Sequence, residues 1–432
     1  MSATHLQLRG QPQNWTGSSL RLPKIRTVFP FHPEVGHRRR IKYSVGQVFA
    51  TVTIKIPQTF AQNVRYPHSP LLLFRDVGLT GAPFVPFRAI TSMSTIRSLD
   101  QIRELLRGLP VSNNSAMSAA KTGEANLLKQ PGALGRLEEL TEWLCGWQGH
   151  HPPTTDRCQI AIFVGSHGVA AEDAASFPPE ATGQAVEGFT GGTAAINQLC
   201  QSQGYELKIY EVAIEIPTRN FLKQPAMEDD ECAEAIAFGM SAVEEGVDIL
   251  CLGEKGMGNT LSAAAVCQGL YGQTAEFWIG PGSGARRSTM NNNIRIVGDG
   301  VAKHKLYMTD ALEVLRHVGG RELAAIAGAI IAARMNRIPI VLDGYACTAA
   351  AAVLQALNPT ALDHCVVGHV SADEGHPKLL AVLKKDALLN LGIGLGEGVG
   401  ATLAVSILQA AAACHTGMGS LDQLRVPTIK TD

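Results

Sequence analysis

The amino-acid sequence predicts an α/β protein with a Rossmann-like, doubly wound parallel sheet and a small helical second domain. From residue 158 onward, short buried apolar runs alternate with Ala-rich segments of helical length. The 44 glycines suit close packing of helices on a sheet and tight turns beside a ligand. Between residues 93 and 145 the pattern is that of amphipathic helices, which predicts the second domain.

Residues 1–92 differ in composition from the rest of the chain. They hold twelve Lys and Arg against Glu34 and Asp76, so a total charge of -1 leaves about -11 for the remainder. They also hold nine of the 22 prolines and show no sustained helical or strand period. We interpret this basic, Pro-rich extension as disordered or as translated from a start placed too early. A basic targeting arm and a nucleic-acid arm are the alternatives.

The segment after Met93 predicts two helices. STIRSLDQIRELLRGL forms the first pattern, and GALGRLEELTEWLCGWQG forms the second, with Leu134, Leu137, Leu140 and Leu144 at helical spacing. We expect residues 93–145 to contribute to the small domain and residues 146–395 to form the α/β catalytic domain. Residues 396–432 should complete both the site and the small domain.

Five buried runs predict the strands of the sheet: QIAIFVGSHGV, ELKIYEVAIEI, VDILCLGEKG, IPIVLDGY and HCVVGHVS. A sixth, AEFWI, is strand-like. The longest apolar run, LAAIAGAIIAA, is stopped by Arg334 well short of the roughly 20 residues that a membrane span needs, so no span is predicted. The acidic main body predicts no nucleic-acid partner. Nine cysteines without a C-x-x-C pair favour a reduced cytoplasm.

Two glycine loops are candidate ligand sites. GEKGMGNT, at 253–260, follows a strand and opens a helix, an arrangement that favours an anion. An ordinary tight turn is the alternative, but Glu254 inside the loop favours a site. The second loop is GPGSG at 280–284, with Lys303 and Lys305 further on. Neither GxxxxGK[ST] nor a strand-placed GxGxxG is present, so nucleotide-cofactor binding is weakly supported.

The run LGIGLGEGVGATL places one carboxylate, Glu397, between glycines. Such an acid is costly to ionise unless something pairs with it or uses its proton. The simpler alternative is that Glu397 caps a helix that the glycines allow to pack closely. His167, His369 and His376 lack the spacing of metal ligands, so we predict no metal site and interpret them as hydrogen-bonding loop residues.

Several of these segments resemble one family in the same order. KQPGALGRLEEL, FVGSHGVAAEDAASFPPEATGQ, GEKGMGNT, GPGSG, RELAAIAGAI, VLDGYACTAAA, GHVSADEGH and LGEGVGA each resemble a signature of the nicotinate-nucleotide:dimethylbenzimidazole phosphoribosyltransferase family. The resemblance runs from about Met93 to the C-terminus. It implies transfer of the phosphoribosyl group of nicotinate mononucleotide to 5,6-dimethylbenzimidazole, giving α-ribazole 5′-phosphate and nicotinate in cobalamin synthesis.

The resemblance also implies roles for individual residues. Glu397 would be the general base, and Glu254 would stabilise the sugar cation or assist proton transfer. Ribose and phosphate would be held by Gly256, Gly258, Asn259, Gly282, Ser283, Gly284, Ser371 and either Lys303 or Lys305. The acceptor base would be held by Ser176, Phe177, Gln184 and Leu395. Nicotinate leaves as a neutral pyridine, so the reaction implies no cofactor and no metal. A homodimer is also implied.

The chain departs from the family pattern around the acceptor pocket. Ser166 stands where the family has an aspartate, Ala175 where it has a serine, and Ala185 where it has a methionine. These departures leave open a different benzimidazole or a purine-like acceptor. They also leave open a non-catalytic relative that binds a nucleotide or base.

Overall fold

The structure is a computed structural model that describes residues 24–28, 43–45, 48–50, 96–172, 180–279 and 287–421, the first three of these ranges only as strands. Residues 1–30 and 92–432 belong to one compact unit, and residues 31–91 belong to a second. In the second unit, β2 (Tyr43–Val45) and β3 (Val48–Ala50) pair antiparallel.

The first unit contains a sheet of seven strands. These are β1 (Lys24–Val28), β4 (Cys158–Val164), β5 (Glu206–Glu211), β6 (Ile249–Lys255), β7 (Ile340–Leu342), β8 (Cys365–His369) and β9 (Ala387–Leu389). Their order is β1-β5-β4-β6-β7-β8-β9. Six strands run parallel, and β1 pairs antiparallel with β5 at one edge. The predicted parallel α/β sheet is therefore confirmed.

Strand order defines where a ligand would bind. The chain passes from β4 outward to β5 and then returns to β6, on the other side of β4. Helices that leave β4 and β6 therefore diverge to opposite directions and open a crevice at the carboxyl ends of these two strands. This topological switch point lies at Val164 and Lys255, which are register partners.

Fourteen helices are described, and many of them cover the two faces of the sheet. They are α1 (Leu99–Arg107), α2 (Asn114–Asn126), α3 (Arg136–Gln148), α4 (Ala181–Thr190), α5 (Ala195–Gln203), α6 (Asp229–Ser241), α7 (Asn259–Tyr271), α8 (Ala275–Trp278), α9 (Arg287–His304), α10 (Ala311–Val318), α11 (Arg321–Met335), α12 (Tyr345–Leu357), α13 (Gly375–Leu383) and α14 (Val399–Gly417). A short 3₁₀ turn spans Gly168–Ala171.

The core consists of two main apolar clusters, one on each face of the sheet. Ile160, Ile162 and Val164 of β4 point into one apolar cluster together with buried residues of α3, α5 and α14. Ala161 and Phe163 point into the other cluster, with α6, α7, α11 and α12. Because alternate residues of a strand face opposite ways, β4 is apolar on both sides and reads as a continuous hydrophobic run.

Some local predictions were wrong. AEFWI is the single-turn helix α8, because Thr274 caps it by accepting from the Phe277 N–H. Glu254 lies in β6 rather than in the loop, since that strand continues to Lys255. Of the three histidines interpreted as loop residues, His369 ends β8 and His376 lies in α13.

The predicted helices around residues 93–145 are present as α1 and α3, with α2 between them. Helix α2 packs on α3, and α3 packs on α14. The separate small domain and its boundaries stay a prediction. By length and composition α14 could cross a membrane, but 56% of its apolar window is buried and it packs against β6, β7 and β8. This is weak evidence for a membrane span, and the contacts are those of a core helix.

Candidate active site

The switch point brings together charged residues from the ends of two neighbouring strands. Glu254 and Lys255 end β6, and Asp343 directly follows β7. The Asp343 N–H donates to the Leu252 carbonyl at 3.1 Å, which extends the β6–β7 ladder by one residue. Parallel strands end at the same edge of a sheet, so these side chains meet although they are far apart in sequence.

Glu397 lies at this edge and is ion-paired. Its Oε1 is 2.9 Å from the Nζ of Lys255, and Glu397 is 7% exposed. Its backbone N–H donates to the Glu254 carbonyl at 3.1 Å. Glu397 has a φ of 62°, a left-handed conformation that costs a non-glycine residue about 1–2 kcal/mol. Strain of this kind persists only where the surroundings hold it, which is common at functional sites.

The second glutamate, Glu254, is in a very different environment. Burial, with the nearby carboxylates of Asp343 and Glu322, raises the pKa of Glu254 to about 8, although Lys255 opposes the shift. The amide of Asn259 donates to its Oε2. Glu254 is therefore mainly protonated at neutral pH, while Glu397 has a cationic partner. Paired carboxylates with opposite environments are an arrangement typical of acid–base sites.

Asp343 is fully buried beneath the loop that carries Glu397. Its Oδ2 accepts from the Gly398 N–H at 3.0 Å, and its Oδ1 accepts from the Ala401 N–H at 2.9 Å. Asp343 thus caps the first turn of α14, whose own N-cap residue, Gly398, has no side chain. The alternative in which Glu397 serves as the cap is not what the structure shows. His369 Nε2 is 3.3 Å from Asp343 Oδ1 but without hydrogen-bond geometry.

A buried hydrogen-bonded chain supports the β4 side of the crevice. His167 Nε2 lies 2.6 Å from Glu322 Oε1, and His167 Nδ1 lies 3.0 Å from Ser262 Oγ. The side chains of His167 and Glu322 are both fully buried. This chain ties the turn after β4 to α7 and α11, the helices behind the site.

The predicted glycine turn is built from close backbone contacts. A Cβ on Gly256 would lie 2.4 Å from the Gly165 carbonyl oxygen, so only glycine fits there. Gly258 has a φ of 93° and is the N-cap of α7. The Met257 N–H donates to Thr182 Oγ1 at 3.1 Å, which joins the turn to α4. The turn therefore forms one wall of the crevice next to Glu254.

Three further predicted residues, Leu395, Ser371 and Gln184, lie in the described part of the chain. Leu395 is 47% exposed and precedes Gly396, whose Cβ position would be 3.0 Å from Glu254 Oε1. Ser371 is buried beside Gly344, and its Oγ donates to Asp373 Oδ2 at 3.0 Å. Gln184 is exposed on α4, the helix that also carries Thr182.

In the described part of the chain, no contact joins the two predicted lysines, Lys303 and Lys305, to the residues around Glu254 and Glu397. Lys303 and Lys305 are exposed at and just after the C-terminal end of α9. That helix has 18 residues, about 27 Å at 1.5 Å per residue, and it begins just after the GPGSG loop. Their contact with a phosphate stays a prediction. Ser176, Phe177, Gly282, Ser283 and Gly284 lie outside the described residues.

Sequence reasoning passed over three of the residues found here, Lys255, Asp343 and Glu322. Lys255 stands inside the GEKG motif, and its signal was a lone cation next to an acid at a strand end. Asp343 gave the same strand-end signal as Glu254. Glu322 gave none, because a buried acid on a helix cannot be distinguished by spacing from an exposed one. Within the described ranges, no group of three or more His, Cys, Asp or Glu could hold a metal ion.

The sequence matches a family model described as phosphoribosyltransferase over residues 109–426. It is 50% identical over 327 residues to a nicotinate-nucleotide–dimethylbenzimidazole phosphoribosyltransferase of Rhizobium meliloti strain 1021, covering 76% of this chain and 96% of the relative. It is 49% identical over 331 residues to the Brucella abortus strain S19 protein of the same name, covering 77% and 98%.

Solved structures agree with the sequence comparison. The crystal structure of nicotinate-nucleotide–dimethylbenzimidazole phosphoribosyltransferase from Thermus thermophilus has a TM-score of 0.68 and 32% identity, covering 73% of this chain and 99% of that one. A structure of CobT from the same organism has a TM-score of 0.68 and 33% identity, covering 72% and 99%. The residues matched by the family model, 109–426, include those of the crevice.

Proposed function

Because the chain belongs to the nicotinate-nucleotide–dimethylbenzimidazole phosphoribosyltransferase family, we propose that the crevice at β4 and β6 is its active site. The enzyme transfers the 5-phosphoribosyl group of nicotinate mononucleotide to 5,6-dimethylbenzimidazole. The products are α-ribazole 5′-phosphate and nicotinate, and the reaction belongs to cobalamin synthesis. The observation that carries the site assignment is the Lys255–Glu397 pair at the switch point.

Glu397 is the general base of this proposal. One ring nitrogen of the acceptor attacks C1′ of the ribose, and the other ring nitrogen must lose its proton. The ammonium of Lys255, 2.9 Å from Oε1, holds the Glu397 carboxyl group at the edge of the crevice, where it can accept that proton. The fixed backbone of Glu397 reduces the reorganisation needed when the acceptor binds.

Glu254 has a complementary role. Since its pKa is about 8, it enters the reaction at neutral pH as an uncharged acid that can donate a hydrogen bond. This favours assistance by hydrogen bonding or proton transfer over stabilisation of the sugar cation by a negative charge. Asn259, which donates to Glu254, holds the carboxyl group toward the glycine turn.

The glycine turn suits the ribose phosphate of the donor. Gly256 and Gly258 leave the backbone bare, and Asn259 opens α7, so the positive end of the helix lies beside the crevice. Ser371 and the GPGSG loop are proposed to complete this subsite, and Ser176, Phe177, Gln184 and Leu395 to contact the acceptor.

Nicotinate release by purified protein tests this function. We expect release that requires both nicotinate mononucleotide and the benzimidazole, and a fall in kcat of roughly 100-fold or more in Glu397→Gln. Glu139→Gln, an exposed change on α3, serves as the matched control. No release by the wild-type protein with any acceptor in a panel of benzimidazoles and purines would contradict the proposal.

We also infer that the enzyme acts as a cytoplasmic homodimer. The family resemblance supports the dimer, and light scattering of the purified protein measures it directly. All nine cysteines are free, and all except Cys414 are buried, as suits a reducing compartment.

A further inference from the structure

Asp343 occupies a position that the catalytic proposal leaves unused. It is 0% exposed, and both of its carboxylate oxygens are taken up by backbone N–H groups of the α14 segment. A residue so placed cannot touch a substrate in the crevice. One of these N–H groups nevertheless belongs to the peptide group that links Glu397 to Gly398.

We propose that Asp343 is a positioning residue for Glu397: it holds the Glu397–Gly398 peptide so that the left-handed backbone directs the carboxylate to Lys255 and into the crevice. The inference rests on the proposed role of Glu397 as general base. Glu397 donates its own N–H to the Glu254 carbonyl at 3.1 Å, and the next N–H, that of Gly398, donates to Asp343 at 3.0 Å. Two consecutive N–H groups are thus bonded to β6 and to the residue that directly follows β7.

The surrounding packing is consistent with a fixed rather than an adaptable contact. A Cβ on Gly253 would lie 2.5 Å from the Gly398 nitrogen, so β6 and the α14 segment are in direct backbone contact. Asp343 itself is held by its N–H bond to Leu252 of β6. The carboxylate of Asp343 therefore fixes the α14 segment against the same strand that supplies Glu254 and Lys255.

The contacts of the Asp343 side chain require a carboxylate rather than an amide. The groups facing the Asp343 carboxylate are two N–H groups of the first turn of α14 and the ring of His369, and the Glu254 carboxyl is near enough to be affected electrostatically. Asparagine has nearly the same shape but can offer only one carbonyl oxygen, and its NH₂ group would face an N–H. Asp343→Asn therefore disturbs the peptide without opening a cavity.

A double-mutant cycle with Glu397→Gln tests the proposal, because residues that act through one another are not additive. We expect Asp343→Asn to lower kcat by roughly 10- to 100-fold in the wild-type background but by less than about threefold in the Glu397→Gln background, with KM for nicotinate mononucleotide little changed in either. Equal losses in both backgrounds would overturn the positioning role. A Glu397→Gln enzyme with full activity would instead contradict the proposed function.

Thr402→Val is the matched control. Thr402 Oγ1 donates to the Gly398 carbonyl at 2.7 Å in the same helical turn, and the residue is fully buried, but it does not bond the Glu397–Gly398 peptide. We expect it to lower Tm without the background-dependent loss of kcat. A loss with the same dependence on Glu397 would show a general effect of loosening α14 and would overturn the proposal.

If Asp343→Asn does not fold, hydrogen–deuterium exchange of the wild-type protein tests the same geometry. The N–H groups of Gly398 and Ala401 should exchange as slowly as those further along α14, because both are bonded to a buried carboxylate. Exchange of either amide at the rate of an exposed peptide would overturn the assignment.

Discussion

The ammonium of Lys255 lies 2.9 Å from Oε1 of Glu397, so the acid that stands alone between glycines in the sequence is ion-paired in the fold. The two side chains come from β6 and from the segment before α14. Both are largely buried, which reduces screening by solvent and strengthens the pair. The pair gives the largely buried carboxyl group a charged partner beside so much apolar surface.

Lys255→Met should therefore lower kcat. Loss of the ammonium leaves the largely buried Glu397 carboxyl group without its ion-pair partner, so its side chain is no longer held at the crevice. We expect kcat to fall at least tenfold, with KM for nicotinate mononucleotide little changed. Lys121→Met, an exposed lysine of α2, provides the control. An unchanged kcat in Lys255→Met would show that Lys255 does not act on the base.

Glu254→Gln should alter the basic limb of the pH dependence of kcat. With a pKa raised to about 8, Glu254 holds its proton below that pH and loses it above, so activity that needs the proton declines as pH rises through about 8. Glutamine stays neutral at all pH values, and we expect Glu254→Gln to retain activity within about tenfold at pH 6–7 and to lack the basic limb. If Glu254 acted as a negative charge instead, wild-type activity would rise through about pH 8 and the loss in Glu254→Gln would be largest above that pH.

The buried pair of His167 and Glu322 should contribute to stability. The contact is 2.6 Å long and both side chains are fully buried, and Glu322 Oε2 has no hydrogen-bond partner. His167→Leu leaves a buried carboxylate uncompensated, which costs about 3–5 kcal/mol in the free energy of unfolding. Urea denaturation measures this, with the exposed His150→Leu as control. A double change of His167 and Glu322 to leucine should recover part of the loss, and an equal or larger loss would contradict this account.

Five of the seven strands of the sheet could be predicted from the sequence, because they are short apolar runs that are identified by their periodicity and length. The five runs became β4, β5, β6, β7 and β8. AEFWI was misread because its apolar residues fit a strand equally well, and the Thr274 cap that makes it helical is a single local contact. Helix α2 was not predicted, since NSAMSAAKTGEAN has no apolar stripe and its buried residues are Ala116, Ala120 and Glu124.

The site could be predicted only where its residues stand in recognisable sequence motifs. Glu254, Gly256, Gly258, Asn259 and Glu397 do, and the structure brings them together. The partners that set their chemistry, Lys255 and Asp343, are fixed by strand register, which a single sequence does not specify. Their roles depended on knowing that β6 and β7 are neighbours.

Two glycines of α14, Gly400 and Gly417, have very different surroundings. A Cβ on Gly400 would lie 1.9 Å from Cδ2 of His369, whereas a Cβ on Gly417 would have nothing within 4 Å. Gly400→Ala should thus force His369 or the helix to move and cost about 1–3 kcal/mol in the free energy of unfolding. Gly417→Ala should be neutral or stabilise by up to about 1 kcal/mol, because alanine loses less backbone entropy.

The same pair of variants also tests whether the position of α14 governs catalysis. Gly400 is in the first turn of α14, next to the amides held by Asp343, so a displaced turn moves Glu397 away from Lys255. We expect kcat to fall at least tenfold in Gly400→Ala and to stay within twofold of wild type in Gly417→Ala, since displacements of about 1 Å can cost 100-fold in rate. A fully active Gly400→Ala enzyme with a reduced Tm would mean that the turn tolerates displacement, and that Glu397 is placed by its side-chain pair alone.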